Sequence, residues 1–273
     1  MKDKSFKPQN QPQFRKKGIF RLAKAVVIIM DERFSRSALL FGEEGIDLLS
    51  QKTVAVFGLG GVGGNACEAL ARAGIGKLLL VDSDQVAPSN INRQVIALES
   101  TVGMYKTTAM AKRLLDINPD IVIDEYPMFY LPENADAIDL SECDYIVDCI
   151  DTTSAKIELV FRARELNIPL ICSMGTGNKT DPTKLTVSDL SKTSTCPLAR
   201  VMRRELKSRG MTHLKVVWSP EEPQSPIGRP VGESGKPIPA STPFVPPVAG
   251  ILLARTVVCD LLGMKGCTPY APH

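Results

Sequence analysis

A glycine-rich turn opens the part of the chain whose residues are best suited to chemistry. Residues 56–64 read VFGLGGVGG and follow an apolar stretch typical of a buried strand. Glycines let a phosphate approach the backbone, and the N-terminus of the next helix offers free N–H groups to bind it. Taken alone, this pattern fits a nicotinamide cofactor as well as ATP. The glycines expected at the phosphates are Gly58, Gly60, Gly61 and Gly63.

Charged residues downstream of the turn favour ATP. Asp82 ends the second predicted strand, where a carboxylate can accept hydrogen bonds from ribose hydroxyls. Arg93 and Lys106 follow, and a dehydrogenase has no need of cations at this point. Attack on the α-phosphorus of ATP releases pyrophosphate, and the charge on that leaving group requires them. The alternative for both cations is ordinary surface solvation.

Two aspartates, Asp148 and Asp151, lie at the end of a later strand, DYIVDCI at 144–150. Ligands of parallel sheets bind at this edge, and a carboxylate there can hold magnesium together with substrate phosphates. One of these two carboxylates is therefore a candidate Mg²⁺ ligand. The alternative is that Asp151 caps the helix that follows.

Histidine is scarce, since the chain has two, at positions 213 and 273. A histidine general base is therefore not expected. A carboxylate substrate is already ionised at neutral pH, so it attacks phosphorus without deprotonation and needs alignment, magnesium and positive charge instead. The residues thus favour an enzyme that adenylates carboxylates.

The elements that must position these residues alternate between strand and helix along most of the chain. This alternation predicts an α/β fold, a doubly wound, Rossmann-like and mostly parallel sheet with helices on both faces and a C-terminal extension. Strands are predicted at 53–57, 77–82, 121–126, 144–150, 169–173 and 214–219, an edge strand at 185–190, and helices at 65–73, 106–117, 154–166, 197–209 and 248–262.

Composition divides the chain into three parts. Residues 1–30 form a basic leader with eight Lys/Arg against one Asp, which is a disordered tail, a membrane-surface helix or sequence upstream of a true start at Met30. Its apolar run is too short for stable membrane insertion. Residues 31–175 are the predicted ATP-binding core, and 176–273 the C-terminal part of the same domain, with substrate-facing loops and a closing helix.

The seven cysteines include no C-x-x-C pair. Neither a disulfide framework nor a zinc site is suggested, so we expect no zinc and a reducing, cytoplasmic location. Cys196 and Cys259 are each either a reactive thiol or a small buried hydrophobic residue.

The first half resembles a known enzyme superfamily. GLGGVGG, DSDQV, SNINRQ, VGMYK and DCIDTT are similar, in order and spacing, to motifs of the ubiquitin-activating-type adenylating enzymes over residues 33–155. This resemblance implies a homodimer in which Arg36, from RFSR at 33–36, reaches the ATP of the partner subunit. It also implies that Arg93, Lys106 and Asp151 are catalytic and that Asp151 binds Mg²⁺. The implied ATP-binding residues are Gly58, Gly60, Gly61, Gly63, Asp82, Asp84, Ser89, Asn90, Arg93, Lys106 and Asp151.

The second half resembles the tRNA threonylcarbamoyladenosine dehydratases, through DPT at 181–183, DLSKT at 189–193 and PLA at 197–199, with Cys196 where that pattern usually has Asp. The resemblance implies ATP-dependent dehydration (cyclisation) of threonylcarbamoyladenosine at position 37 of tRNA. The alternatives are adenylation of the C-terminus of a ubiquitin-like sulfur-carrier protein, whose activators often carry two C-x-x-C pairs, or nucleotide sensing without turnover. A sulfur-donor or electron-transfer partner is left open.

One predicted helix has a basic face suited to RNA. Arg200, Arg203, Arg204 and Lys207 share one side of it at helical spacing. Such a row can contact the phosphate backbone of a tRNA stem-loop. An ordinary solvated helix face is the alternative, because no aromatic residues for base stacking lie among the cations.

Overall fold

A computed structural model gives the fold of the protein. Most of the predicted leader lies outside the described residues, and within it two short strands, β1 (Arg21–Leu22) and β2 (Ala25–Val26), pair antiparallel. The three-part division of the chain stays a prediction. The described residues are 21–22, 25–26, 31–228, 231 and 238–264.

The sheet has seven strands in the order β5-β4-β3-β6-β7-β9-β8. All neighbours pair in parallel except β8, the edge strand, which is antiparallel to β9. The predicted α/β, Rossmann-like fold is therefore confirmed. The strands are β3 (Thr53–Phe57), β4 (Lys77–Val81), β5 (Val122–Tyr126), β6 (Tyr145–Asp148), β7 (Leu170–Ser173), β8 (Thr186–Asp189) and β9 (Lys215–Trp218).

Helices cover both faces of the sheet, because alternate residues of each buried strand point to opposite sides. In β3, Val54 and Val56 pack with α3, α4 and α7, whereas Ala55 and Phe57 pack with α5; α6 packs on α5 beside β7 and β9. The helices are α1 (Ser35–Phe41), α2 (Glu43–Ser50), α3 (Gly63–Ala73), α4 (Lys106–Ile117), α5 (Thr153–Glu165), α6 (Pro197–Ser208) and α7 (Val245–Leu261).

The last helix, α7, begins at Val245, three residues before the predicted start at 248, with Pro246 in its first turn. It packs closely on α3, since a Cβ added to Gly250 would lie 2.2 Å from the carbonyl oxygen of Val62. Its first turn also reaches the glycine turn, where a Cβ on Gly61 would lie 3.0 Å from the Cβ of Pro246. The first turn of α7 therefore contacts the glycine turn that is predicted to bind phosphate.

The chain winds in opposite directions from the centre of the sheet. From β3 it proceeds through α3 to β4, and from β6 through α5 to β7, away from β3. Such a reversal leaves a crevice at the carboxyl ends of the two central strands, where ligands of this architecture bind. Among the described residues, no helix combines the length and the apolar character that crossing a bilayer requires.

Candidate active site

A crevice of about 310 Å³ lies at the carboxyl ends of β3, β4 and β6. We call it the nucleotide cleft, defined by Gly60 on one wall, Asp82 and Lys106 on another, and Asp151 at its rim. Most residues predicted to bind ATP line it, so the fold brings them together from separate loops. Those lining it are Gly58, Gly60, Gly61, Asp82, Asp84, Asn90, Arg93, Lys106 and Asp151.

The glycines of the turn have two different roles. A Cβ on Gly60 would meet a single atom, Nε2 of Gln94 at 3.8 Å, so this glycine faces the open cleft. Gly63 does not line the cleft, and a Cβ there would lie 1.8 Å from the carbonyl oxygen of Gly58. The phosphate contact of Gly63 stays a prediction, and close packing of the turn on the start of α3 also requires glycine at this position. Gly58 itself has a φ of 86°, which favours glycine.

The cleft holds a compact charge network around Lys106. Its Nζ donates to Oδ2 of Asp84 at 2.6 Å and lies 3.8 Å from Oδ1 of Asp82. Asp82 also accepts backbone N–H bonds from Leu59 and Asp84, at 2.6 and 2.8 Å. Burial raises the pKa of Asp82, and Lys106 and these N–H groups oppose that rise. A carboxylate offers about four acceptor sites, so Asp82 retains capacity for ribose hydroxyls.

Arg93 lies at the border of the cleft and is held by its own segment. Its Nη1 donates to the carbonyl of Ser89 at 3.0 Å and to Oδ1 of Asn92 at 2.9 Å. Ser89 is exposed and does not line the cleft. Its ATP contact stays a prediction. In the 3₁₀ turn at Pro88–Asn90 the Ser89 side chain is exposed, and its carbonyl orients the arginine.

The aspartate that ends β6 and the one in the loop after it differ in their surroundings. Asp148 is fully buried and accepts from Nζ of Lys156 at 2.9 Å and from the N–H of Ile150 at 3.0 Å. Asp151 is exposed at the cleft rim, and the N-cap position of α5 belongs to Thr152. Helix capping therefore does not occupy Asp151, and the buried pair fixes the loop that presents it.

Sequence reasoning missed several residues of the cleft. Met128, Phe129 and Tyr130 form an apolar wall, and Gln94 also lines the cleft, with 6% of its surface exposed. Within the described chain, the Oε1 of Gln94 and the hydroxyl of Tyr130 are buried without hydrogen-bond partners, and burial raises the pKa of Tyr130 to about 12. The apolar run PMFYLP after β5 was the available signal, since it follows a strand at the ligand-binding edge.

A second chamber of about 370 Å³ adjoins the nucleotide cleft. The two cavities share Gly61, Arg93 and Asp151, and the second extends past the end of β7 to Lys179 and Cys196. The arrangement can therefore hold a nucleotide on one side of this shared border and a second reactant on the other.

Comparison with known proteins identifies the family. The sequence model of the ThiF family matches residues 34–264. The chain belongs to the ThiF family. A tRNA threonylcarbamoyladenosine dehydratase of Bacillus subtilis is 43% identical over 243 residues, covering 85% of this chain and 96% of that protein.

Solved ThiF-family structures agree with this membership. The Escherichia coli tRNA N6-threonylcarbamoyladenosine dehydratase in complex with AMP superposes with a TM-score of 0.78 at 33% identity, over 87% of this chain and 98% of that one. Its ATP complex gives a TM-score of 0.76 with the same identity and coverage. The adenylating superfamily expected from the motifs is thus confirmed, including its dehydratase branch.

Other predicted residues of this ThiF-family chain lie outside the cleft. Arg36 is exposed on α1 and does not line the cleft. Cys196 and Cys259 are both buried, with 1% and 7% of their surfaces exposed. Of the basic face on α6, Arg200, Arg204 and Lys207 are exposed, whereas the guanidinium of Arg203 donates to the carbonyl and hydroxyl of Thr193.

Proposed function

We propose that the protein catalyses ATP-dependent dehydration of threonylcarbamoyladenosine at position 37 of tRNA, by adenylating its carboxylate. The observation that carries this proposal is the border between the two chambers. Arg93 and Asp151 line both cavities, so a carboxylate in the second chamber can meet the α-phosphorus of ATP in the first. Similarity to dehydratases, one of them bound to AMP, supports the choice of substrate.

The reaction balances with groups that the substrate itself carries. One carboxylate oxygen attacks the α-phosphorus and pyrophosphate leaves, aided by the positive charge of Arg93 and Lys106. A nucleophile of the carbamoyl group then attacks the acyl carbon, and AMP leaves with the former carboxylate oxygen as the nucleophile loses its proton. The nucleoside therefore loses one water, and ring closure benefits from the high effective molarity of a tethered nucleophile.

Magnesium is part of this proposal, with Asp151 as its protein ligand. Mg²⁺ commonly binds one or two carboxylates together with phosphates and waters, which suits a single exposed carboxylate at the rim. Of the described residues, no three His, Cys, Asp or Glu side chains form a metal-binding group. In the cleft, Oε1 of Gln94 and the hydroxyl of Tyr130 have no hydrogen-bond partner among the described residues, which fits a site that is completed by a bound nucleotide.

A homodimer completes the proposed site. Helix α1 carries Arg36 next to Leu39 and Leu40, whose surfaces are 80% and 81% exposed. An adjacent apolar pair of this kind is suited to burial against a second copy, which would bring Arg36 to the partner's ATP. Mixing Arg36→Ala with Asp151→Ala protein should then restore part of the activity, and absence of rescue would indicate a self-contained site.

The exposed cations of α6 are the proposed tRNA contact. Arg200, Arg204 and Lys207 present charge to solvent, and Arg203 can join them by exchanging its bonds to Thr193 for a phosphate. Because tRNA is the substrate, the proposed location is the cytoplasm.

The deciding experiment weighs the nucleosides of the product. Protein, ATP, Mg²⁺ and tRNA bearing threonylcarbamoyladenosine are incubated, and the tRNA is digested for mass spectrometry. Loss of one water from the modified nucleoside is the expected result. Unchanged nucleoside, together with ATP–pyrophosphate exchange that depends on a carrier protein ending in Gly-Gly, would reject the dehydratase and favour carrier adenylation.

A further inference from the structure

Three lysines near the active site are buried, and their partners differ. Lys106, Lys156 and Lys179 have 5%, 0% and 2% of their surfaces exposed. Carboxylate oxygens lie 2.6 Å from the first and 2.9 Å from the second. Lys179 Nζ donates to the carbonyl of Ser219 at 2.8 Å, and no carboxylate in the described part of the chain lies within 4.0 Å of it. Since an ammonium has three donors, two remain for a ligand.

The backbone on both sides of Lys179 is fixed. Asn178 exchanges hydrogen bonds with Ala240, at 2.8 and 2.7 Å. On the other side, Glu221 accepts from the N–H groups of Thr180 and Asp181, at 2.9 and 3.0 Å. Both oxygens of Glu221 are therefore occupied by this loop. The backbone on each side of Lys179 is therefore fixed, which limits where its ammonium can lie. The carboxylate of Glu221 binds backbone N–H groups of this loop.

A buried ammonium without a counterion carries a desolvation cost. Burial lowers the pKa of Lys179, and the neighbouring Cys196 and Glu221 oppose that shift only in part. A protein retains such a group where a bound molecule supplies the missing acceptor, because functional sites are where strongly perturbed charges concentrate. Lys179 lines the second chamber, so the acceptor would belong to the molecule bound there.

The position of Lys179 relative to the two cavities indicates which atom of the bound molecule accepts its hydrogen bonds. Arg93 and Asp151 line both cavities and mark the point where the carboxylate meets the α-phosphorus, whereas Lys179 lines the second chamber and not the nucleotide cleft. It therefore lies farther along the substrate than the reacting carboxylate. In a threonylcarbamoyl group, the next strong acceptor along the chain is the carbamoyl oxygen.

We propose that Lys179 is a specificity-determining residue that donates hydrogen bonds to the carbamoyl oxygen of the substrate in the second chamber. The inference rests on the proposed function. The chamber's volume of about 370 Å³ is within the range of about 300–1,000 Å³ typical of small-molecule pockets. Holding the carbamoyl oxygen fixes the chain between adenine and carboxylate, which places the tethered nucleophile beside the acyl carbon for ring closure.

The test compares Lys179→Met, which keeps the stem and removes the donors, with Lys179→Gln, which keeps a donor. Lys112→Met is the matched control, since Lys112 is exposed on α4. For each protein, kcat/KM for the modified tRNA, the Kd for ATP and the Tm are measured. We expect Lys179→Met to lower kcat/KM about 10- to 100-fold, as loss of a charged hydrogen bond does, with the Kd for ATP unchanged.

Two further readouts separate recognition from a structural role. Removal of an uncompensated buried charge should leave the Tm of Lys179→Met equal to or above that of the wild type, and Lys179→Gln should recover part of kcat/KM. Unchanged kcat/KM in Lys179→Met, or a loss accompanied by an equally reduced Tm and ATP affinity, would overturn the inference. Failure of the wild-type protein to dehydrate the nucleoside would instead reject the proposed function.

Discussion

The nucleotide cleft and the second chamber differ in how the ammonium group of a buried lysine is paired. In the cleft, Lys106 already lies between the carboxylates of Asp82 and Asp84. In the second chamber, Lys179 has a backbone carbonyl as its acceptor. Lys106 is therefore paired with carboxylates before a ligand arrives, whereas the charge of Lys179 is left for a ligand to pair. The stability of the fold should therefore depend on the lysines that are paired with carboxylates. The choice of substrate should depend on Lys179, which is not.

The largest effect should come from breaking the buried pair below the cleft. Lys156→Met leaves Asp148 without a counterion, and the expected loss is about 3–5 kcal/mol in the free energy of unfolding. Burial tends to lower the pKa of Lys156, but its neighbours, above all Asp148, together outweigh burial and raise that pKa. Chemical denaturation measures the loss. If Lys156→Met and Lys179→Met had equal stabilities, the contrast between paired and unpaired lysines would be wrong.

Removing a charged side chain at the border between the nucleotide cleft and the second chamber should block adenylation and leave the fold intact. Arg93→Ala and Asp151→Ala should each reduce adenylation by at least about 10²–10³-fold, because both act on charge that develops at the phosphates. The release of pyrophosphate measures this step. Asp116→Ala, on the exposed side of α4, is the control, and wild-type turnover in either border variant would refute the assignment.

Two glycine variants should separate packing from binding within one turn. Gly63→Ala places a Cβ 1.8 Å from the carbonyl oxygen of Gly58 and should destabilise the protein by about 1–3 kcal/mol. Gly60→Ala meets a single atom at 3.8 Å, so stability should hold while the Kd for ATP rises. Thermal unfolding and nucleotide titration give the two readouts. The reverse pattern would exchange the roles of the two glycines.

The smallest effect concerns acid stability of the loop that carries Lys179. Burial acts to raise the pKa of Glu221, but its bonds from Thr180 and Asp181 outweigh burial and lower it below the ordinary 4.5. The carboxylate's contribution is thus present above pH 4.5 and is lost as the pH falls through the lowered pKa. Glu221→Gln should cost about 1 kcal/mol at neutral pH and less in acid. A difference that is constant with pH would contradict this.

The elements of the fold were largely readable from sequence, and individual side-chain directions were not. Strands such as Thr53–Phe57 and helices such as Lys106–Ile117 are specified by local periodicity and by terminating Gly or Pro residues. The outward side chain of Ser89 and the packing role of Gly63 depend on how a turn lies against its neighbours. Lys179 could not be identified from sequence, because its burial and its hydrogen bond to Ser219 depend on residues that are distant in sequence.

The same limit applies to the apolar wall of the cleft. Phe129 and Tyr130 follow β5, whose carboxyl end faces the cleft only because β5 is placed beside β4 in the sheet. The spacing of the motifs identified the charged residues, because a charged side chain indicates a chemical role by its type alone. An apolar side chain does not indicate a role in binding until the sheet topology shows that it lines the cleft.

The contact between α7 and the glycine turn has a consequence for how the protein is made. Gly250 packs against Val62, and Pro246 against Gly61, so the glycine turn rests on a helix that is translated long after the turn itself. A chain still emerging from the ribosome has the nucleotide motif without its support. A fragment that ends before Val245 therefore lacks the contacts that support the turn, and we expect it to bind ATP more weakly than a chain that contains this helix.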